Sequence, residues 1–497
     1  MAYGTRFVGR VHTMNSFHPE RNQLVVGPDG TIDGFDLPLF EDEMSVITLP
    51  AGAVIVPGLH DAHTHWGQAI FGDGTVSLEG VSDLAEAKRC IKAQAERQQT
   101  GWILVIGWNS ALLAKSRVTQ AWLDKIVRDR KCMVLNRSFH EALVSSSLER
   151  VLLPTLPSAY EGEVANGYLQ AEPVWMALGA FQMDRELLNK ALIRRQNVMF
   201  AAGFTSIAEK ALDGTVVLNA LRDMYRSGEL FIPCDAHVMT YMLRRDPMPA
   251  FTEGPFRVCG IKQVMDGAFG NCLACIAGHG TYPDGTEGRL LFNRDQLLAD
   301  TRQAVALGYD RLAAHCIGTG AISETSAAFM DLLWALPVHM ARRLTFSFEH
   351  FETPSPLVVR GVASLQHKGL KIEVVPTAGF TEDRKVYADR LPREVLDRIN
   401  PYAELMSEGV RWREGTDGII TGDNPWWGMA QAMGRDGSQA ITFSELFARY
   451  IGEPLTVGRP ADFVVLDSDP FADTTCLKDV KVLETWIAGR KVWSRPR

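Results

Sequence analysis

The first candidate metal ligands in this 497-residue chain are two histidines separated by one residue. His63 and His65 stand in "PGLHDAHTH", directly after an apolar pattern typical of a strand. Because alternate residues of an extended segment point the same way, both imidazoles can face one ion. An isolated His-x-His pair arises by chance often enough that it is weak evidence alone. Its meaning therefore depends on which other residues the fold brings to it.

The lysine in "GIKQVM" is the most informative single residue. Lys262 lies inside an otherwise apolar strand pattern, where an unpaired ammonium is costly to bury. Burial would lower its pKa and leave a neutral amine that can react with carbon dioxide. The resulting carbamate can bridge two metal ions. The alternative is a lysine that faces outward and pairs with an acid on a helix.

Three more polar residues fall at or near the ends of apolar strand patterns: His315 in "AAHCIG", His350 in "EHFE" and Asp417 in "GTDG". Taken singly, each histidine could be a hydrogen-bonded core residue and the aspartate a turn residue. Enzymes built on parallel barrels carry their sites where several strands end. The order and placement of the three residues therefore favour a shared site.

Apolar strand patterns recur along the chain with helical patterns between them, which is typical of a parallel α/β sheet. Eight such strands predict a distorted (β/α)8 TIM barrel. The predicted strands are Ala53–His60, Gly203–Glu209, Phe231–Met239, Val258–Gly267, Arg311–Gly318, Arg343–Phe351, Leu370–Ala378 and Val410–Gly418.

The chain is longer than a barrel requires, and the excess falls after the first strand and at the two ends. We expect the barrel to span residues 53–434, with an inserted cap or subdomain at about 70–202. Both chain ends, residues 1–52 and 435–497, carry short alternating strand patterns with turn signals. Because a few strands alone cannot bury a face, we expect the ends to pair into one composite β-sandwich.

Composition limits the binding partners and the cellular location that we expect for this protein. Lys and Arg are outnumbered 51 to 59 by Asp and Glu, and the net charge of -8 argues against nucleic-acid binding. No signal-peptide or membrane-spanning pattern is visible, and the eight cysteines lack the spacing of a zinc site. We expect a cytoplasmic protein that acts on a small molecule without membrane contact, with a homodimer as the candidate assembly.

Six motifs follow one another over nearly the whole chain: "PGLHDAHTH", "GIKQVMDGAFGN", "AAHCIG", "EHFE", "GTDG" and "RPADFVVLDSDP". Together they resemble the amidohydrolase superfamily, specifically amidohydrolase family 3 and its N-substituted formamide deformylase-like branch. The resemblance implies a distorted barrel beside a composite β-sandwich. It implies that His63 and His65 bind one metal ion, that His315 and His350 bind another, that carboxylated Lys262 bridges them, and that Asp417 binds metal and moves a proton.

Two divalent ions at such a site favour hydrolysis of a C–N bond in an amide, formamide or N-acyl compound, with Asp417 as general acid and base. Zinc is the expected metal, although the ligands also suit manganese, cobalt and nickel. The resemblance adds His140 as the residue that holds the substrate carbonyl. A set of tryptophans predicts an aromatic or hydrophobic substrate: Trp66, Trp108, Trp426 and Trp427.

Two other functions remain open. A mononuclear deaminase of a heterocycle shares the barrel, the histidine pair and the aspartate, but such enzymes carry a glutamate where this chain has Gly318. A non-catalytic relative that keeps the barrel for assembly would be expected to lack some of the ligands, and all six are present.

Overall fold

The computed structural model describes residues 4–17, 19–38, 44–68, 75–98, 101–109, 112–156, 164–179, 185–435 and 439–496. Its strands in chain order are β1 Thr5–His12, β2 Glu20–Val26, β3 Ile32–Phe35, β4 Ser45–Thr48, β5 Val54–Pro57, β6 Leu59–Thr64, β7 Val76–Ser77, β8 Ile103–Trp108, β9 Cys132–Asn136, β10 Glu141–Val144, β11 Val164–Ala165, β12 Tyr168–Gln170, β13 Phe204–Leu212, β14 Cys234–Met239, β15 Phe251–Glu253, β16 Phe256–Val264, β17 Arg311–Cys316, β18 Thr345–His350, β19 Lys371–Val375, β20 Phe463–Leu466, β21 Val482–Ile487 and β22 Arg490–Ser494.

The helices in chain order are α1 Leu84–Arg97, α2 Gln120–Val127, α3 Ser146–Leu152, α4 Glu172–Gly179, α5 Arg185–Ala202, α6 Thr215–Ser227, α7 Thr240–Arg245, α8 Arg294–Ala306, α9 Thr319–Ala335, α10 Val338–Ala341, α11 Pro356–His367, α12 Asp383–Val386, α13 Arg393–Arg398, α14 Tyr402–Ser407, α15 Pro425–Met433 and α16 Phe443–Tyr450. None of the described helices combines the length and hydropathy that a membrane crossing requires.

Seven parallel strands form the central sheet, in the order β19-β18-β17-β16-β14-β13-β6. Each strand pairs in parallel with the next one, and the helices between them cover the sheet. The strands are buried along most of their length because a sheet covered in this way buries both faces. Six of the eight predicted strands, the second to the seventh, are confirmed by this sheet.

The predicted eighth strand is wrong as a regular strand, although its segment takes the eighth position in the barrel. Single parallel bridges join Gly415 to Thr377 and Gly418 to Thr64, so the segment touches both edges of the seven-stranded sheet. A longer ladder is excluded because Asp417 has a φ of 51° and Ile419 a φ of 80°, in the left-handed region. The barrel is therefore closed by a distorted segment.

The first predicted strand, Ala53–His60, is wrong in its boundaries. The chain breaks at Gly58 into β5, which belongs to the sheet of the chain ends, and β6, which opens the barrel. Gly58 packs so closely on Thr205 that an added Cβ would lie 2.3 Å from the Thr205 hydroxyl oxygen. As a result His63 lies within β6 rather than after it.

The two chain ends pair in one eight-stranded sheet of order β22-β21-β20-β5-β1-β2-β3, with β4 added to β1. The join is made by β5, which pairs in parallel with β1 and antiparallel with β20. An apolar core of its own stabilises this sheet, in which Phe463 stacks on Trp486 and Phe7 meets both rings at 5.0 Å. Residue 1, where the predicted front segment starts, lies outside the described residues.

The insertion contains a second sheet, of order β11-β12-β10-β9-β8-β7, with a separate apolar core. Its predicted start, residue 70, lies outside the described residues. Helix α5 runs from the insertion back to the barrel, where it packs on β13 and on β21 of the end sheet. The insertion therefore connects to the barrel on the side where β6 and β13 pair.

Two glycine-to-alanine substitutions test how closely the closing segment packs. In Gly415→Ala the new Cβ would lie 2.4 Å from the Cβ of His63, and such overpacking costs about 1–3 kcal/mol. Gly361 lies in α11 with no atom within 4 Å of its added Cβ, so Gly361→Ala should stabilise the protein by about 1 kcal/mol. Denaturant unfolding measures both, and equal effects of the two variants would contradict the close packing of the closing segment.

Candidate metal centre

All six predicted ligands line one cavity at the carboxyl ends of the barrel strands, which we call the inner cavity. His63 lies in β6 and His65 follows that strand. Lys262 lies in β16 and His315 in β17, and His350 is the last residue of β18. Asp417 comes from the closing segment. Five separate parts of the barrel thus converge on one space.

Donor atoms at the centre lie at distances that suit a shared cation. Nε2 of His65 lies 2.7 Å from Oδ1 of Asp417, and Nε2 of His63 lies 3.5 Å from the same oxygen. The ligand atoms of His63, His350 and Asp417 all lie within 4.8 Å of one another. The ring of His350 is 4.6 Å from that of His63 and 4.5 Å from that of His315, measured between centroids. The arrangement therefore joins the two predicted histidine pairs in one cluster.

Hydrogen bonds on the outer side of the rings leave the inner nitrogens free for metal. Nδ1 of His63 pairs with Glu349 at 2.6 Å, and Nδ1 of His350 pairs with the Thr377 hydroxyl at 3.2 Å. Oδ1 of Asp417 is buried, and its nearest ligand atoms are Nε2 of His65 and Nε2 of His63, so the three atoms could share one cation. Such partners on the second nitrogen are what orient metal-binding histidines. The residues therefore fit a metal ion.

The protonation state of the histidines also suits a metal. Burial lowers the pKa of His63, His315 and His350 well below the usual value, and the positive charge of Lys262 acts in the same direction on each. The three imidazoles are consequently neutral near pH 7. A neutral imidazole has the free lone pair that a metal ligand needs.

Lys262 points into the inner cavity, with Nζ 3.4 Å from Nε2 of His63. The alternative of an outward-facing lysine is therefore wrong. Burial lowers the pKa of Lys262 to about 8; Glu349 opposes this effect and Lys210 adds to it. A pKa of about 8 leaves roughly a tenth of the amine neutral at pH 7, and carbamate formation requires this neutral form.

Sequence analysis missed a buried pair behind His63. Glu349 accepts hydrogen bonds from Nζ of Lys210 at 2.9 Å and from the Ser347 hydroxyl at 2.5 Å, in addition to its contact with His63. Burial would raise the pKa of Glu349, but Lys210 and Lys262 together lower it to about 2. Lys210 is buried in β13, but the predicted strand Gly203–Glu209 stops one residue before it, so the signal that singled out Lys262 did not extend to it.

Asp61 connects β6 to the closing segment of the barrel through hydrogen bonds. Asp61 accepts hydrogen bonds from the backbone amides of His63 at 3.2 Å and Thr416 at 2.8 Å, and also from the Thr416 hydroxyl. These bonds place His63 and Asp417 in register with each other. The neighbouring His60 instead pairs with the Ser206 hydroxyl, on the opposite side of the strand.

The insertion contributes His140 to the inner cavity. A turn between β9 and β10, with a φ of 58° at Phe139, directs His140 to within 4.8 Å of the His315 ring and 5.4 Å of the Trp175 ring, between centroids. Nδ1 of His140 is buried and has no hydrogen-bond partner. Burial, together with the charges of Lys262 and His65, lowers the pKa of His140 to about 3.

Three of the four tryptophans expected at the substrate are packed elsewhere. The indole of Trp66 donates to the Leu192 carbonyl and that of Trp108 to the Leu113 carbonyl, while Trp426 stacks on Phe447. All three side chains are fully buried. As far as the structure describes the chain, none of the three lines either of the two cavities next to the predicted ligands. Large aromatic rings in apolar surroundings pack as core, so their role as substrate contacts is withdrawn.

A second space adjoins the inner cavity, and we call it the outer chamber. The two share Ser138, His140, His315, Asp417 and Ile420. The outer chamber is further lined by Arg137, Phe269, Glu352, Phe380, Glu382, Asp383, Tyr387 and Trp427. Trp427 is thus the predicted tryptophan that does reach the region next to the ligands.

Fold and centre together define a class of protein: a parallel α/β barrel with a buried histidine, lysine and aspartate cluster at its strand ends. The amidohydrolase family matches residues 51–493, and the chain belongs to this family. Membership implies the use of a divalent metal, which agrees with the cluster of His63, His350 and Asp417. The predicted family is confirmed, whereas the formamide deformylase-like branch stays a prediction.

Relatives of the chain are distant. Protein LONG AFTER FAR-RED 3 of Arabidopsis thaliana is 21% identical over an alignment of 519 positions. The alignment covers 95% of this chain and 86% of that protein. An uncharacterized metal-dependent hydrolase from Pyrococcus furiosus is similar with a TM-score of 0.71 at 20% identity, over 94% of this chain and 99% of that one. A second such hydrolase, from Pyrococcus horikoshii OT3, has a TM-score of 0.70 at 19% identity, over 94% and 98%. The likeness to the two structures shows the fold.

Glu349→Gln should weaken both the fold and the metal site. The substitution leaves the buried Lys210 ammonium without its counter-charge, and breaking a buried pair costs about 3–5 kcal/mol. It also removes the carboxylate that orients His63, which should lower metal affinity about 10–100-fold. Denaturant unfolding and metal titration measure the two effects.

Glu373→Gln is the matched control, because Glu373 is partly exposed and faces Arg311 at 3.5 Å. Such a pair contributes less than about 1 kcal/mol, and metal affinity should not change. If Glu349→Gln behaved as this control does, Glu349 would not support the site.

Proposed function

We propose that this protein is a metal-dependent hydrolase that cleaves the C–N bond of a small amide, formamide or N-acyl compound, a bond other than a peptide bond. The proposal is carried by one observation: six side chains of ligand type, from five parts of the barrel, line one buried cavity. His63 and His65 would hold one divalent ion and His315 and His350 a second. Zinc is the first choice of metal, and manganese, cobalt and nickel are alternatives.

Carboxylated Lys262 would bridge the two ions. Its amine is buried and directed into the inner cavity beside His63. As a carbamate it would replace a costly buried cation with an anion next to two cations. Divalent ions held at this site would supply a nucleophilic water at neutral pH and polarise a carbonyl oxygen.

Asp417 is proposed as the proton carrier. Its carboxylate lines both the inner cavity and the outer chamber, so it can reach a water on the metal side and a leaving nitrogen on the substrate side. Asp417 would accept the proton of the attacking water and return it to that nitrogen, as one positioned group can do in both directions. This step leaves an amine and a carboxylic acid as products.

His140 is proposed to hold the substrate carbonyl. It is neutral because burial lowers its pKa to about 3, so it can donate one N–H without carrying charge. Its buried Nδ1 has no partner among the described residues and is thus available to a substrate atom. A donor aimed at the carbonyl oxygen helps most when negative charge develops there.

The substrate should be small and should have an aromatic or hydrophobic part. The inner cavity and the outer chamber adjoin and share lining residues, so one small molecule could extend from one space into the other. Trp175 lines the inner cavity, and Phe380 and Trp427 line the outer chamber. Apolar walls of this kind favour a flat or apolar group.

Gly318 argues against the alternative of a heterocycle deaminase. A Cβ added at Gly318 would lie 2.2 Å from the carbonyl oxygen of Cys275, so the glutamate of such deaminases cannot stand there without a backbone shift. The Gly318 amide also donates to Asp266 at 2.9 Å. A non-catalytic role is disfavoured because all six ligand positions are filled and their side chains converge.

Metal content tests the bridging lysine. Elemental analysis should find two metal equivalents per chain in the wild type and fewer in Lys262→Met, whose unbranched side chain is one atom shorter and cannot form a carbamate. Lys368→Met, at the exposed end of α11, serves as the control and should keep two. One equivalent in the wild type would rule out a binuclear site and favour the deaminase.

Asp417→Asn tests the proton carrier. In a screen of N-formyl, N-acetyl and aryl amides, this variant should lose about 10²–10⁴-fold in kcat while it keeps its fold, because a general acid and base contributes that much. Asp389→Asn, at an exposed position, should retain wild-type turnover. Unchanged turnover in Asp417→Asn would refute the role, and ammonia release from an aminated heterocycle would favour the deaminase.

A further inference from the structure

A buried carboxylate without a partner faces the outer chamber. Glu352 is 1% exposed and lines this space, yet neither of its carboxylate oxygens has a hydrogen-bond partner in the structure. Buried carboxylates are normally paired or hydrogen-bonded, because an isolated one is very costly. The metal site and the proposed mechanism make no use of Glu352.

The backbone around Glu352 is held firmly, so its open carboxylate is not the product of a loose loop. The carbonyl of Glu352 accepts from the Asn400 amide at 2.8 Å, and the amide of Thr353 donates to the Ile317 carbonyl at 3.2 Å. The two residues before Glu352 have positive φ, 68° at His350 and 47° at Phe351. Non-glycine residues adopt such angles at a cost, and such strain is found at functional sites.

The outer chamber is rich in carboxyl groups. Glu352, Glu382 and Asp383 line it together with one cationic side chain among the described residues, Arg137. Arg137 is exposed. Burial raises the pKa of Asp383 to about 7, and the charge of Arg137 opposes that effect. Burial, together with the carboxyl groups of Asp383, Asp266 and Asp417, raises the pKa of Glu352 well above its usual value.

Aromatic rings surround these carboxylates. Phe269, Phe380, Tyr387 and Trp427 all line the outer chamber. A cation over an aromatic face is attracted by the ring quadrupole, and the attraction grows when the cation is shielded from water. A buried carboxyl group without a partner, set among aromatic rings, suits an organic cation, because a bound cation favours the ionised carboxylate.

We propose that the outer chamber binds a cationic nitrogen group, an ammonium or a guanidinium, carried on an apolar or aromatic arm of the substrate, with Glu352 as its counter-ion. The inference rests on the proposed function in that this arm belongs to the compound whose C–N bond is cleaved. The cation supplies the partner that Glu352 lacks, and the rings cover the arm. The scissile bond then lies in the inner cavity, next to Asp417 and His140, which line both spaces.

Binding of a matched pair of probes tests the proposal without any turnover. Phenethylguanidinium stays charged at every accessible pH, and phenethylurea has nearly the same shape without the charge. Isothermal titration of the metal-loaded protein should show that the guanidinium binds at least 10-fold more tightly than the urea. Equal affinities in the wild type would overturn the proposal, and this comparison needs no variant.

Glu352→Gln keeps the shape of the side chain and removes its charge. It should weaken guanidinium binding at least 10-fold and leave urea binding within about twofold. Glu408→Gln, at the exposed end of α14, is the matched control and should bind both probes as the wild type does. A Glu352→Gln protein that keeps the full preference for the guanidinium would overturn the assignment of Glu352.

The outcome is separable from that of the proposed hydrolysis. If no amide is cleaved but the guanidinium preference depends on Glu352, the proposed function fails and the cation site stands. If neutral amides are cleaved and amides with a cationic arm show no lower KM that depends on Glu352, the cation site fails and the hydrolase stands.

Discussion

A buried carboxylate joins three strands of the barrel, and the metal centre depends on it. Glu349 on β18 meets His63 on β6 and Lys210 on β13, and it has no exposure to solvent. An ion pair in such surroundings is stabilising only while all its members are present, because each charge alone is costly to bury. The orientation of His63 is therefore coupled to the packing of the barrel itself.

The second constraint is the closing of the barrel by a segment that is not a regular strand. Asp61 holds the amide of Thr416, and Gly415 lies against the backbone of His63. Asp266, two residues after β16, likewise holds the loops that follow β16 and β17. It accepts hydrogen bonds from the backbone amides of Cys275, Ile317 and Gly318. Carboxylates that accept backbone amides thus fix the loops from which the ligands project, a supporting role that outer groups take at metal sites.

Much of the centre could be predicted because each ligand breaks an apolar pattern at a strand end. Lys262 and His315 were found in this way, and the parallel topology then required them to meet at one edge. Three of the four tryptophans were misassigned because an aromatic residue next to a ligand motif has the same sequence signal whether it packs in the core or faces a substrate. Lys210 stands one residue beyond its predicted strand, and its partner, Glu349, is 139 residues away in the sequence.

The sequence by itself determined the types and order of the donors, the alternation of strands and helices, and the family. These features follow from local periodicity and local chemistry, which any stretch of chain carries with it. Only the tertiary structure decided that His63 pairs with Glu349 across 286 residues, that the insertion brings His140 to the ligands, and that Glu352 is buried without a partner. Such relations depend on distances through space, and packing of distant segments sets those distances.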